Sequence, residues 1–361
     1  MRLFQNSGVY PAYLPRLRSL TQGNKGFIAQ VSAFLDDRFG ACHFLKPVLD
    51  RNASAFFTNG DDEQLQRQWA LERGMRSDAL LTEILLAQIE EHQTEVFYNL
   101  DPMRYQSDFV RKLPGCVKKT VAWRAAPSPG ADFSAYDLMV CNFPAILEAY
   151  AAMGRRTALF SPAHDPVMAD YADTADRQID VIFVGGYTRH HQRRAELLEV
   201  VAALQDEFSV SFHLDTSRLT RWAESVPGRL LPLARYRRPD LIRAVTQPPV
   251  FGLDLYRALA NSKIVLNGAI DMAGEDRGNM RCFEAMGCGC LLLSDEGNYP
   301  AGMISGVNLV TYSSSQVALG LIRQLLNNDD RRSGMASLGN EMIARDYSKT
   351  HQWERFVSLT Q

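Results

Sequence analysis

Lys263-Ile264-Val265-Leu266-Asn267, a polar loop from Gly268 to Gly278, and then Asn279-Met280-Arg281-Cys282-Phe283-Glu284-Ala285-Met286-Gly287-Cys288-Gly289-Cys290 decide the architecture of this 361-residue chain. The order is a short apolar strand, a glycine-containing loop and the start of a helix. Such a junction after a parallel strand presents free backbone N–H groups and the positive end of a helix, which suits a phosphate or pyrophosphate. Glu284 falls in the second turn of that helix, where a carboxylate can accept both hydroxyls of a ribose. Gly287 and Gly289 allow a tight return from helix to strand where Cβ atoms would collide.

Upstream, Ile179-Asp180-Val181-Ile182-Phe183-Val184 reads as a buried strand that ends in Gly185-Gly186. An amphipathic helix follows, with Leu197, Val200, Val201 and Leu204 on one face. Further strands are expected at Ser209–Leu214, Cys290–Ser294 and Asn308–Tyr312, and helices over Leu253–Asn261, Ser315–Leu326, Asp330–Arg345 and Thr350–Leu359. The first half repeats the pattern. Its strands are expected at Arg2–Gln5, Ala53–Thr58, Glu95–Asn99, Lys119–Trp123, Asp137–Cys141 and Thr157–Phe160, with helices that include Pro102–Lys112 and Pro144–Met153. Alternating strands and helices imply an α/β fold with parallel sheets. The proline-rich run after Phe160 and the acidic stretch 170–178 divide the chain. Residues 1–165 are expected to form one Rossmann-like lobe, 166–178 a linker, 179–345 a second Rossmann-like lobe, and 346–361 a final helix.

Composition narrows the function. Thirty-nine basic residues against 41 acidic ones leave a net charge of −2, so no global field favours nucleic acid. No apolar run approaches the ~18 residues of a membrane span, and the N-terminus lacks the apolar core of a secretory signal. The six cysteines have no disulfide-framework spacing. These features point to a cytoplasmic protein with reduced thiols, with peripheral contact at the inner face of a membrane left open. Cys282, Cys288 and Cys290 read as buried packing, and His190-His191 lack the further partners of a metal site. Arg235-Tyr236-Arg237-Arg238 reads as a solvated loop or a contact for anionic lipid or acceptor.

The run Asn279–Gly289 resembles the C-terminal lobe of GT-B glycosyltransferases, in the branch typified by the spore maturation protein CgeB. The likeness extends from about Asp180 to the C-terminus, and Asp346-Tyr347-Ser348-Lys349-Thr350-His351-Gln352-Trp353-Glu354-Arg355 is similar to the family's last helix. The resemblance implies two Rossmann-like lobes facing a central cleft, with the last helix crossing back to the first lobe. It implies that Glu284 binds the nucleotide ribose, with Asn279, Met280 and Arg281 beside it. The family's partner acid, eight positions earlier, corresponds to Asp276, an aspartate where glutamate is usual, next to Glu275. These two are the candidates to face the donor sugar. A basic residue at the start of the second lobe meets the diphosphate in this family; Arg189, Arg193 and Arg194, after Gly186, are the candidates. In the first lobe Gly8 is a candidate to cradle a ligand, and Asp101 is the candidate base.

The expected activity is transfer of a sugar from a nucleoside-diphosphate-sugar to a glycan, lipid-linked or protein acceptor, with retention and without a metal or other cofactor. No D-x-D follows a strand. A nucleotide-sugar epimerase of the same architecture and a non-catalytic binding protein on this scaffold are the alternatives. A dinucleotide oxidoreductase is more distant, because Gly185-Gly186-Tyr187 lacks the G-x-G-x-x-G pattern.

Overall fold

The computed structural model describes residues 1–23, 26–187, 191–268 and 272–361. The chain divides into two compact units. The first contains Met1–Ala163, Met272–Asp276 and Tyr347–Gln361; the second contains His164–Asp271 and Arg277–Asp346.

The first unit is built on six strands: β1 (Leu3–Ser7), β2 (Ala55–Asn59), β3 (Val96–Asn99), β4 (Lys119–Trp123), β5 (Leu138–Cys141) and β6 (Thr157–Leu159). All pairings are parallel, in the order β2-β1-β3-β4-β5-β6. Its helices are α1 (Leu14–Leu20), α2 (Phe27–Asp36), α3 (Lys46–Leu49), α4 (Glu63–Glu72), α5 (Leu81–Glu91), α6 (Ser107–Val110) and α7 (Pro144–Ala152). Phe4 on one face of the sheet stacks on Phe56 at 4.9 Å and contacts Phe97 at 5.9 Å. On the other face Tyr98 and Phe160 meet Phe356, at 5.0 and 5.8 Å.

The second unit holds β7 (Ile179–Gly186), β8 (Val210–Asp215), β9 (Thr246–Gln247), β10 (Ser262–Leu266), β11 (Leu291–Asp295) and β12 (Val310–Tyr312) in the order β12-β11-β10-β7-β8-β9, again all parallel. Its helices are α8 (Ala169–Ala172), α9 (Gln192–Ala202), α10 (Arg218–Glu224), α11 (Asp240–Ala244), α12 (Gly252–Ala260), α13 (Met280–Gly287), α14 (Ser315–Leu326) and α15 (Asp329–Asp346). Val181, Phe183, Ile264, Leu266, Leu291 and Leu293 pack with Leu197, Leu198 and Val201 of α9 and Ile322 of α14. The intervening Ile182, Val265 and Leu292 are equally buried. A sheet covered on both faces needs apolar side chains at every position, which is why these strands read as unbroken runs.

Helix α16 (Lys349–Thr360) is capped by Ser348, whose hydroxyl accepts from the His351 N–H at 3.2 Å, and it groups with the first unit. Phe356 docks it on Tyr98 and Phe160. The expected crossing back of the last helix is thus present.

Three expectations change. The helix expected over Pro102–Lys112 forms only at Ser107–Val110, because buried Tyr105 is drawn back to donate its hydroxyl to the Gly60 carbonyl at 2.7 Å. The 166–178 stretch is packed rather than a free linker. Arg177 donates from Nη1 to the carbonyls of Ala260 and Ser262 and from Nη2 to those of Ala172 and Cys288, at 2.8–3.3 Å. Met272–Asp276, expected inside the second lobe, groups with the first unit. No described helix is long and apolar enough to cross a membrane.

Candidate functional site

In an open parallel sheet the ligand crevice opens at the carboxyl ends of two neighbouring strands whose connections leave in opposite directions. The second unit has that point between β7 and β10: β7 leads outward to β8, and β10 leads the other way to β11. Gly186 closes β7, and Asn267-Gly268 follow β10. A Cβ on Gly186 would meet nothing within 4 Å, so the space beside it is open.

Asn267 is the hub of this edge. Its carbonyl accepts from the Tyr312 hydroxyl at 2.7 Å, and its Nδ2 donates to Ser294 Oγ at 3.0 Å. Its Oδ1 accepts from Asn279 Nδ2 at 3.1 Å. Asn279 is the N-cap residue of α13, yet its side chain makes no capping bond to that helix. The Cys282 N–H donates to the Asn279 carbonyl at 3.0 Å, while those of Met280 and Arg281 lack the usual side-chain oxygen and stay available to an anion. Met280 and Arg281 open the helix. Arg194, on α9, donates from Nη2 to the Gly268 carbonyl, and its guanidinium lies 6.0 Å from the Phe183 ring centroid. One cation thus spans both strands of the switch point.

Glu284 is 2% exposed, and its Oε2 accepts from Arg281 Nη1 at 2.6 Å. Burial pushes its carboxyl above the usual range, and the Arg281 guanidinium pulls it back. Arg281 Nε is itself buried without a hydrogen-bond partner. A buried, singly paired carboxylate beside an incompletely satisfied guanidinium is a costly arrangement that a polyhydroxylated ligand would complete. Arg277 pairs with Asp295 at 2.6 Å, fixing the end of β11. His213 on β8 holds the Pro248 carbonyl at 2.7 Å, and burial lowers its pKa.

The two glycines behave as their spacing suggests. Gly289 has φ of +69°, and a Cβ there would stand 2.7 Å from the Ala172 carbonyl oxygen. A Cβ on Gly287 would stand 2.4 Å from Met168 Sδ. Burial raises the Cys282 thiol to about 12 and the Cys290 thiol to about 11, so both are protonated packing groups. Among the described residues no group of three or more His, Cys, Asp or Glu is placed to hold a metal ion.

Other candidates lie elsewhere. Arg193 is exposed on α9, and Arg189, with His190, lies outside the described residues. Asp276 belongs to the first unit, is 8% exposed, and accepts from the Ala145 N–H at 2.7 Å in the first turn of α7. Its carboxylate therefore serves the positive end of that helix. Neighbouring Glu275 is exposed. Asp165, buried, accepts from the Val167 N–H and the Tyr256 hydroxyl, as a structural element would.

The first unit has its own switch point, between β1 and β3. Gly8 and Asp101 meet there: a Cβ on Gly8 would stand 3.2 Å from Asp101 Oδ2. The structure adds Asp61, which accepts from the Val9 N–H at 2.9 Å and lies 4.0 Å from Arg104, itself 3.4 Å from Asp101. Asp61 carries the same signal as Asp101, an acid just past a strand, but only the strand order places the two together. Burial, reinforced by the Asp101 charge, pushes the Asp61 carboxyl up to about 6 against the pull of the Val9 N–H and Arg104. The folded state then holds a proton that the unfolded chain releases nearer 3.8. The Asp61 contribution to stability is expected to be fully present below that window, to fall by about 2–3 kcal/mol as pH rises through it, and to level off above. Urea melts of wild type and Asp61→Asn between those pH values check this; parallel pH profiles for the two proteins would contradict it.

Residues 189–358 match the family described as glycosyl transferase-like. The chain is also similar in structure to HepE from Anabaena, solved with UDP and glucose, over 99% of both chains, with a TM-score of 0.58 at 12% identity. A sucrose-phosphate synthase from Thermosynechococcus elongatus aligns over 99% of this chain and 97% of its own, with a TM-score of 0.55 at 9% identity. The chain has the GT-B fold. A glycosyltransferase from Rickettsia africae aligns over 99% of this chain and 97% of its own, with a TM-score of 0.52 at 8% identity. No curated protein matches the chain in sequence. The matched segment includes Arg194, β10, Asn279, Arg281 and Glu284, and begins just after β7.

Proposed function

We propose that the chain is a glycosyltransferase of the CgeB-like branch, moving a sugar from a nucleoside-diphosphate-sugar to a glycan, lipid-linked or protein acceptor. The observation that carries this reading is the buried Glu284–Arg281 pair behind the open start of α13. Glu284 accepts the ribose hydroxyls. The α13 N-terminus and Arg194 take the diphosphate, whose negative charge grows as the sugar leaves, so donors fixed in advance lower the barrier. That scheme calls for no metal, and retention follows the family resemblance. On the donor-sugar side, Glu275 is the exposed acid next to Asp276, whose carboxylate is engaged by α7. Asp101, with Asp61 beside it, is the base offered to an acceptor hydroxyl. A cytoplasmic site of action fits six free cysteines, five of them buried. HepE was solved with UDP, which makes UDP the first nucleotide to test.

Glu284→Ala is expected to weaken nucleotide binding about a hundredfold, the loss of charged hydrogen bonds worth roughly 1.5–3 kcal/mol each. Calorimetric titration with UDP, and with GDP and ADP in turn, measures it. Glu284→Gln keeps the shape of the buried side chain and guards against misfolding. Unchanged affinity in both variants, for whichever nucleotide binds the wild type, would remove Glu284 from the ribose.

A further inference from the structure

Residues 217–243 form a projection from the second unit that no part of the transfer chemistry uses. The segment has seven arginines and two acids, in a chain whose net charge is −2. Both acids are taken: Glu224 pairs with Arg238 at 2.6 Å and Asp240 with Arg243 at 2.7 Å. The apolar side chains stand out of the protein. Leu219, Trp222 and Val226 follow helical spacing on and just past α10 and are all exposed, Val226 by 80%. Leu230, in the turn Pro227–Leu230, is 89% exposed, and Leu231 and Leu241 are exposed as well. Arg218, Arg221 and Arg235 are exposed among them.

This projection is built rather than loose. Arg237 ties it together from within, donating to the carbonyls of Ala223, Gly228 and Leu231 at 2.8–3.1 Å. The turn folds so closely on α10 that a Cβ on Gly228 would stand 1.9 Å from the Trp222 carbonyl oxygen. Ala223 and Ile242, both fully buried, anchor its two ends. A fixed surface with this much bare aliphatic area marks a contact site in a soluble-sized unit. Arginines interleaved with Trp and Leu, and no free carboxylate between them, match an anionic lipid surface. The apolar side chains enter the headgroup boundary while the guanidinium groups meet phosphate.

We propose that residues 217–243 dock the protein on an anionic bilayer. The projection follows directly on β8, whose last residue, Asp215, is in register with Gly186 at the end of β7. Docking there sets the candidate nucleotide edge of the second unit close to the membrane plane, where a lipid-linked acceptor would lie.

Flotation with vesicles tests this on the full chain. Wild type is expected to float with phosphatidylcholine vesicles containing about one-third phosphatidylglycerol and to stay behind with phosphatidylcholine alone. Added salt is expected to release it. Trp222 emission is expected to shift to the blue with the anionic vesicles, and the shift to vanish in Trp222→Phe. Val226→Glu with Leu230→Glu, both at exposed positions, is expected to lower partitioning at least about tenfold while the thermal melt is unchanged. The proposal falls if anionic vesicles are ignored, if neutral vesicles bind equally well, or if the double variant floats like wild type. It falls also if light scattering shows a self-associated protein that the double variant makes monomeric without any vesicle binding, since the face would then join two copies of the chain.

Discussion

Lys349→Met is expected to cost the fold about 3–5 kcal/mol. Lys349 is 4% exposed, and its Nζ donates to the carbonyls of Ala41, Cys42 and Phe44 at 2.7, 3.1 and 2.7 Å and to Gln352 Oε1 at 3.2 Å. The three carbonyls belong to the tight turn around Ala41–His43 that follows Gly40 at φ +75°. The Ala41 carbonyl also accepts from the Phe44 N–H at 3.0 Å and the Cys42 carbonyl from the Ala163 N–H at 2.8 Å, so the ammonium adds a charged second donor to each, and it is the donor that meets the Phe44 carbonyl. Methionine fills the same volume and donates nothing, which leaves the Phe44 carbonyl without its donor and strips the charged donor from the Ala41 and Cys42 carbonyls. Gln352 repeats the clamp by donating to Cys42 and Ser161. The loss should fall on the docking of α16, so the variant is expected to lose protease resistance at its C-terminus first. Urea denaturation followed by circular dichroism gives the magnitude. A change below about 1 kcal/mol would mean that the ammonium is not what holds α16 in place.

Arg194→Ala is expected to lower kcat about 10²–10³-fold, the effect of removing one preorganised donor from a developing anion. The guanidinium is already positioned by the Gly268 carbonyl and the Phe183 ring. It therefore needs little reordering to meet a phosphate, and its planar fork can keep one donor on Gly268 while offering another. Arg194→Lys keeps the charge but not the fork and is expected to recover only part of the rate. Arg193, exposed one position earlier, is the control. If Arg193→Ala loses the rate and Arg194→Ala keeps it, the diphosphate contact moves to the exposed residue.

Much of this arrangement was legible in the chain. Strands buried on both faces leave long Val, Ile and Leu runs, and β7, β10 and β11 are found within two residues of where such runs place them. The loop-to-helix start at Asn279 and the burial-sensitive Glu284 follow from local order alone. The i,i+3 spacing of Arg281 and Glu284 already allowed their ion pair. What could not be read depends on distant residues. Asp276 caps a helix whose first turn lies 131 positions away in sequence. Asp61 joins Asp101 only because β1 sits between β2 and β3. The two-residue strand β9 and the short helices and turns of 217–243 have no sustained periodicity, and their prolines read as loop. The helix expected at Pro102 gave way to the tie between Tyr105 and Gly60, a contact across 45 positions.

The most direct measurement is nuclear magnetic resonance of the purified protein with UDP-glucose and other nucleotide sugars, with and without candidate acceptors. Release of the nucleoside diphosphate that depends on the acceptor, with a new glycosidic anomeric proton of the donor's configuration, is the result this account predicts. An isomerised nucleotide sugar formed with no acceptor present, or no turnover of any donor by a protein that binds no nucleotide, would contradict it.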